Sequence, residues 1–195
     1  MTPLRADHAE QTRGRILDAA IAQMSDAPVE SLTVAGVAKR AGIAERTIYR
    51  HFQTRDALLA AVWPRMQSLV GSRGFPQTAA DLVATPRRLF PAFDSQEGPV
   101  RASVYSEAGR EVRLRANDER KAAMLACVRD ALPELDAEAA HRRAAAVQLL
   151  NSAFAWSAMR DFWDLDGKAA GEAAAEAIAI LLGLSPVSSE ENTRS

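Results

Sequence analysis

Apolar residues recur at helical spacing along nearly the whole chain, and no stretch keeps the alternation expected of a strand. In the first third, Ile16, Leu17 and Ala20 fall on one face of a predicted helix. This periodicity predicts an all-α protein. The predicted helices span about residues 9–25, 33–41, 45–52, 55–71, 78–93, 99–108, 112–132, 137–163 and 168–182, after a loose N-terminal arm.

Two short predicted helices joined by a glycine are the most informative feature of this pattern. Thr33 suits an N-cap because its hydroxyl can accept a hydrogen bond from a backbone N–H of the first turn. Gly42 stands where that helix should end in the left-handed conformation. The second helix turns Ile48 and Phe52 inward and keeps polar side chains outside. A DNA-binding helix-turn-helix is predicted; an αα-corner with a solvated outer face is the alternative.

A longer set of positions falls in one register around this turn. Its members are Arg15-Ile16-Leu17-Asp18-Ala19-Ala20, Leu32-Thr33-Val34, Ala38, Ala41-Gly42, Thr47-Ile48-Tyr49, His51-Phe52, Arg55 and Leu58. Over roughly the first third of the chain, this set resembles the N-terminal domain of the TetR family of bacterial transcriptional regulators. The resemblance implies a three-helix head with a helix-turn-helix, followed by a helical C-terminal body that binds an effector and dimerises.

The resemblance also implies which side chains meet DNA. A recognition helix that enters the major groove N-terminus first also places Glu45, Arg46 and Arg50 at base edges, where arginine can donate two hydrogen bonds to guanine. The hydroxyl and imidazole groups of Thr47, Tyr49 and His51 match family positions that usually touch phosphates. Arg55, at the start of the next helix, matches a position where a basic residue often contacts a phosphate. Arg13 and Arg15, on the first helix, lie either near phosphates or in solvent. The predicted DNA-binding residues are Thr33, Glu45, Arg46, Thr47, Tyr49, Arg50, His51 and Arg55.

Breaks in the pattern suggest a domain division. Residues 1–55 form the predicted helix-turn-helix domain, and a connecting helix covers about 55–71. Pro64 lies inside that helix and should bend it, because proline deletes a backbone hydrogen bond. Residues 72–185 form the predicted ligand-binding and dimerisation domain, and 186–195 a disordered tail.

The C-terminal body has helices that are apolar over a wide arc. Such a helix is either the centre of a monomer core or is packed on two partners. The resemblance implies the second, a four-helix interface between two copies of the chain. The predicted interface residues are Val147, Leu150, Phe154, Ile178 and Leu181.

Large apolar and amphipathic residues in the body predict a cavity for a small apolar or aromatic effector, with an ordinary core as the alternative. A few polar groups among them would orient the ligand. The candidate ligand-binding residues are Phe90, Phe93, Tyr105, Met124, Asn151, Trp156 and Met159.

Composition and charge sharpen this picture only slightly. The 195 residues are 48% hydrophobic and carry a net charge of −1, so the chain is globular without a global basic field. Residues 1–55 hold eight Lys or Arg and six Asp or Glu, a small positive excess in the predicted head. The one cysteine, Cys127, is expected to be a buried thiol. No membrane-spanning run or signal-peptide core is visible, so a cytoplasmic location is expected.

Motifs for catalysis or metal binding are not found. The sequence has no glycine-rich phosphate loop, zinc-ligand spacing or nucleophile elbow. Glu107 and Glu111 are spaced i, i+4, which favours a solvated carboxylate pair over an acid–base dyad. We therefore expect no enzyme activity, no cofactor and no metal.

The predicted function is that of a sequence-specific regulator of transcription that binds double-stranded DNA. Repression at a palindromic operator, and release by a small molecule, are implied by the resemblance. The alternative is a helical protein-interaction or structural module with a vestigial helix-turn-helix. The residues do not identify the effector or the operator, nor do they decide between repression and activation.

Overall fold

The computed structural model describes residues 3–26 and 32–185, which form helices and connecting turns without a strand. The predicted all-α fold is confirmed, and the predicted tail at 186–195 lies outside the described residues. In the described part, the helices are α1 (Pro3–Asp26), α2 (Val34–Ala41), α3 (Glu45–His51), α4 (Arg55–Leu69), α5 (Ala79–Ser95), α6 (Glu97–Tyr105), α7 (Glu107–Arg115), α8 (Asn117–Ala131), α9 (Ala137–Leu150), α10 (Ala153–Trp163) and α11 (Gly167–Leu181).

The chain forms two compact units. The first holds α1 to α4 together with α6 and α7, and the second holds α5 and α8 to α11. Residues 96–117 lie in the region that the sequence analysis assigned to the body, yet they belong to the first unit. There α6 packs on α1, and α7 packs on α4.

The first unit is built around apolar residues at helical spacing. The predicted caps of α2 are confirmed: the Thr33 hydroxyl accepts from the Gly36 N–H at 3.1 Å, and Gly42 has φ of 66°. A φ in that range strains any residue with a Cβ, so glycine gives the turn into α3 at little cost. Wholly buried side chains from four helices meet here: Ile16, Val37, Ile48, Leu58, Leu59 and Val62.

α1 begins at Pro3 rather than near residue 9, so the predicted N-terminal arm is largely helical. Proline is well tolerated in the first turn of a helix, where its missing N–H would have no partner inside the helix. The helix therefore starts earlier than its apolar face indicates.

In two places where the sequence predicts one long helix, the structure has two shorter helices. The predicted helix 112–132 is interrupted at Ala116, and α7 and α8 belong to different units. The predicted helix 137–163 is interrupted at Asn151 and Ser152, where the Ser152 hydroxyl caps α10 by accepting from the Ala155 N–H. Asparagine and serine favour helix ends because their side chains compete for backbone groups.

Prolines end neither α4 nor α5. Pro64 lies inside α4 as predicted, and α5 likewise continues through Pro86 and Pro91 to Ser95. Pro86 is buried in the second unit. Packing thus maintains a helix that proline alone would weaken.

In the second unit, α5 and α11 lie against each other along two glycines. A Cβ on Gly167 would sit 2.3 Å from the Phe90 carbonyl oxygen, and one on Gly171 would sit 2.8 Å from that of Pro86. Asp94 fastens the same end by accepting from the Gly167 N–H at 2.7 Å. The two helices therefore form one closely packed pair. Nowhere in the described segments is a helix long and apolar enough to cross a membrane.

Candidate nucleic-acid interface

α3 has one buried side and one polar exposed side. Ile48 is wholly buried, and Phe52 follows the last turn into the core. Tyr49 is 46% exposed, and Arg46 and Arg50 are exposed on the same outer side. Seven residues suffice for this helix because its inner side packs against the rest of the unit.

The predicted DNA-binding residues of α3 are brought together on or beside this outer side. Glu45, Arg46, Tyr49 and Arg50 are exposed, and Thr47 and His51 are partly buried. Two guanidinium groups separated by one turn on a water-exposed helix suit the acceptors on guanine edges.

Two arginine side chains of α1 contact the helix-turn-helix. Arg15 donates to the Ala41 carbonyl oxygen at 3.0 Å, which satisfies a carbonyl in the last turn of α2. The guanidinium of Arg13 lies over the Phe52 ring, 4.5 Å from its centroid. Both arginines therefore have structural contacts, a third outcome beside the two that the sequence left open.

The charge state of His51 follows from these neighbours. Burial first, and then the nearby guanidinium groups of Arg50 and Arg13, lower the pKa of His51 below its ordinary value of 6.5. Glu10 opposes this shift but does not reverse it. The imidazole is therefore uncharged at neutral pH and presents an N–H donor rather than a cation.

Thr33 and Arg55 lie at the starts of α2 and α4. The Thr33 side chain is exposed and its oxygen already caps α2, so the hydroxyl hydrogen remains available to an outside acceptor. Arg55 donates from Nε to the Leu32 carbonyl oxygen at 2.8 Å, and from Nη1 and Nη2 to the two carboxylate oxygens of Glu111, each at 3.1 Å. The guanidinium of Arg55 is thus already bonded inside the protein. Its contact with a DNA phosphate stays a prediction.

Glu111 is more than the solvated carboxylate expected from its spacing to Glu107. Hydrogen bonding from Arg55 is the main cause that lowers the pKa of Glu111, helped by the charges of Arg55 and Arg115. Its i, i+4 pair with Arg115, at 3.2 Å, is visible in the sequence. Its partner Arg55 is 56 positions away along the chain, so no local pattern could have indicated it.

The candidate ligand-binding residues fall into separate places. Phe90 stacks on Phe93 with ring centroids 5.6 Å apart, and Phe93 meets Trp156 edge to face at 5.7 Å. Trp156 also donates from its indole N–H to Asp94 at 2.9 Å, a polar partner that the sequence analysis missed. These aromatic rings are buried in the second unit.

The remaining ligand candidates do not all join this aromatic cluster. Met124 packs in the core of the second unit beside Cys127, and Met159 is partly buried. Asn151 has a buried side-chain oxygen without a hydrogen-bond partner in the described structure. Tyr105 is exposed on α6, in the other unit.

The predicted interface residues differ in how deeply they are buried. Val147 and Ile178 are wholly buried in the core of the second unit, so they cannot reach a partner molecule. Leu150 and Leu181 are partly buried, and Phe154 is 41% exposed. The most exposed apolar side chains of α9, α10 and α11 were not among the predicted interface residues; they are Leu149, Phe162, Trp163 and Ile180.

Sites for redox or metal chemistry are not formed by the described residues. Cys127 is buried and donates to the Pro76 carbonyl oxygen at 3.5 Å, and burial raises its pKa to about 11, which suppresses the reactive thiolate. In residues 3–26 and 32–185, no three His, Cys, Asp or Glu side chains come together as metal ligands.

Comparison with known proteins gives a result confined to the N-terminal part. Residues 16–62 match the family model described as bacterial regulatory proteins, tetR family. The HTH-type transcriptional regulator AcrR of Shigella flexneri is 35% identical over 63 residues, which are 32% of this chain and 29% of that protein.

A second relative gives the same picture. The HTH-type transcriptional repressor KstR of Rhodococcus jostii (strain RHA1) is 35% identical over 71 residues, 36% of this chain and 34% of that protein. The chain thus spans about a third of the length of these relatives. No solved structure gives a significant match.

Proposed function

Because this chain belongs to the tetR family of bacterial regulatory proteins by its N-terminal domain, we propose that it regulates transcription by binding double-stranded DNA at a specific operator. One observation carries the proposal: α3 buries Ile48 while Arg46, Tyr49 and Arg50 face water on its outer side. Members of this family are DNA-binding regulators, and we assign the chain no catalytic activity.

Specificity comes from the charged residues of α3. In the major groove, Arg46 and Arg50 donate to guanine O6 and N7, and Glu45 accepts from a cytosine amino group. Thr47, Tyr49 and His51 donate to phosphates and set the register of the helix on the duplex. Thr33, at the start of α2, adds a phosphate contact through its hydroxyl hydrogen.

A homodimer and a palindromic operator belong to the same proposal. The supporting observation is the set of exposed apolar side chains on α10 and α11: Phe154 is 41% exposed, Phe162 81% and Ile180 61%. Two copies joined through these helices would present two α3 helices, and the half-sites would lie about one helical turn or somewhat more apart.

The second unit is proposed to bind a small apolar or aromatic effector that releases the protein from DNA. The buried rings of Phe90, Phe93 and Trp156, with the hydrogen-bonded Asp94 beside them, support this role. Repression is favoured by the name of one relative, a transcriptional repressor. A cytoplasmic location remains part of the proposal.

Titration of labelled duplex DNA at two salt concentrations tests the central claim, after selection of the preferred site from random DNA. A regulator of this kind binds its selected site at least about a thousandfold more tightly than unrelated DNA, with affinity that falls steeply with salt. Equal and weak binding to all duplexes would instead favour a helical interaction module with a vestigial helix-turn-helix.

A further inference from the structure

The side chain of Arg55 joins three parts of the first unit. Its guanidinium makes a two-pronged pair with Glu111 on α7, with both nitrogen–oxygen distances at 3.1 Å. Its Nε donates at 2.8 Å to the carbonyl oxygen of Leu32, the residue just before the N-cap of α2. Only arginine has the planar fork of donors that can make these bonds together.

A second ion pair surrounds the first. Arg115 donates to Asp56 at 2.8 Å and to Glu111 at 3.2 Å, so two arginines and two carboxylates form one cluster at the start of α4. The cluster carries no net charge at neutral pH. A group of this kind contributes little to the counterion release by which a protein gains affinity for phosphates.

We propose that Arg55 is a positioning residue that holds the start of α2 against α7, and that it does not bind DNA phosphate. The inference deepens the proposed function, on which it rests, because the start of α2 supports the turn into α3. The three bonds use three of the five N–H donors of the guanidinium, and a phosphate on the remaining donors would lie close to the Glu111 carboxylate. The repulsion between these two negative charges opposes a phosphate contact at Arg55.

Arg55→Lys separates the two roles because lysine keeps the positive charge and loses the fork. A positioning role predicts operator affinity lower by about fivefold or more, with an unchanged salt slope. A phosphate contact predicts affinity within about twofold of wild type. Arg65→Lys is the matched control, since Arg65 makes a similar fork to Asp18, at 2.8 and 3.1 Å, and should change operator affinity less than about twofold.

Glu111→Gln should change operator affinity in opposite directions under the two roles of Arg55. If Arg55 positions α2, loss of the carboxylate loosens the cluster and weakens operator binding. If Arg55 binds phosphate, the same variant releases its guanidinium and strengthens binding. Tighter binding by Glu111→Gln would overturn the proposal, as would a salt slope lowered by about one unit per subunit in Arg55→Gln.

A measurement without DNA keeps this inference distinct from the proposed function. Hydrogen exchange at the Gly36 and Val37 amides, which bond to Thr33, should accelerate at least about threefold in Arg55→Lys and stay unchanged in Arg65→Lys. Unchanged exchange in Arg55→Lys would overturn the inference even if wild type binds DNA. Failure of wild type to bind any duplex would overturn the proposed function, and the DNA role of Arg55 with it. Should Arg55→Lys fail to fold, Glu111→Gln carries both measurements.

Discussion

α3 and α10 each leave one face exposed, but the two faces differ in chemistry. On α3 the exposed groups are guanidinium and hydroxyl, from Arg46, Arg50 and Tyr49. On α10 they are aromatic, with Phe162 81% exposed and the adjoining Trp163 76% exposed. Charged and hydroxyl groups are well hydrated without a partner, whereas each large aromatic ring leaves roughly 150–250 Å² to be buried.

The contrast suggests different partners for the two faces. An exposed polar face with closely spaced arginines suits a polyanion with hydrogen-bond acceptors, which is how we interpret α3. An exposed apolar face is a liability unless another protein surface covers it. We therefore expect α10 to act in assembly and α3 in recognition, and substitutions in each should affect different measurements.

The largest effect is expected from a charge placed on the aromatic face. Phe154→Asp should convert dimers into monomers at micromolar concentration, because an interface cannot bury an unpaired carboxylate cheaply. Operator affinity should fall by about a hundredfold or more as one half-site is lost. Light scattering measures the first result and DNA titration the second.

Leu114→Asp is the control for this prediction, since Leu114 is 49% exposed in the first unit. It should leave the oligomeric state unchanged. A wild-type protein that is monomeric at micromolar concentration would remove the basis of the contrast between the two faces.

Next in size is the effect of Arg50→Ala. Loss of a two-pronged contact to guanine should weaken selected-site binding by about 5- to 150-fold, from roughly 1–3 kcal/mol, with a smaller change on unrelated DNA. Competition titrations with both duplexes measure the ratio. Arg142→Ala, which removes an exposed i, i+4 partner of Glu138 in the second unit, should change neither. An unaltered preference in Arg50→Ala would assign specificity to other residues.

Tyr49→Phe should have a smaller and unspecific effect. Removal of one hydroxyl donor to phosphate should weaken binding by about two- to twelvefold, from roughly 0.5–1.5 kcal/mol, equally on selected and unrelated duplexes. The same competition titrations report both numbers. A changed sequence preference would mean that the Tyr49 ring reads a base, and the division of roles along α3 would then be wrong.

The smallest expected effect is a pH dependence through His51. Its pKa in the unbound protein lies below 6.5, and a nearby phosphate favours the charged imidazole and so raises that pKa. The complex then holds more protons than the separate molecules, and affinity should increase by about two- to threefold as pH falls from about 7.5 to 6.

His51→Gln provides the comparison for this last prediction. The other two histidines, His8 and His141, are present in both proteins, so the difference between the two pH profiles isolates His51. Identical profiles would place His51 away from phosphate.

The sequence predicted local features well, because their causes are local. Thr33 and Gly42 form the caps of α2 as expected, and Ile48 is buried, since cap chemistry and helical spacing act within a few residues. Asn151 and Ser152 carried a local signal for a helix end that was outweighed by the apolar pattern around them.

Features that depend on distant residues could not be predicted in this way. Val147 on α9 and Ile178 on α11 each belong to the apolar pattern of their own helix, and that pattern alone does not tell a core side from an interface side. Arg55 illustrates the same limit, because its partners Leu32 and Glu111 are 23 and 56 positions away. Only the tertiary fold decides such contacts.

The glycine seam between α5 and α11 has an evolutionary consequence. At Gly167 and Gly171 even a methyl group would overlap backbone atoms, which cannot move aside as a flexible side chain can. Homologous chains that keep this close packing should therefore retain glycine at both positions while their exposed neighbours vary, and a homologue that loses one of them must change how α11 packs on α5.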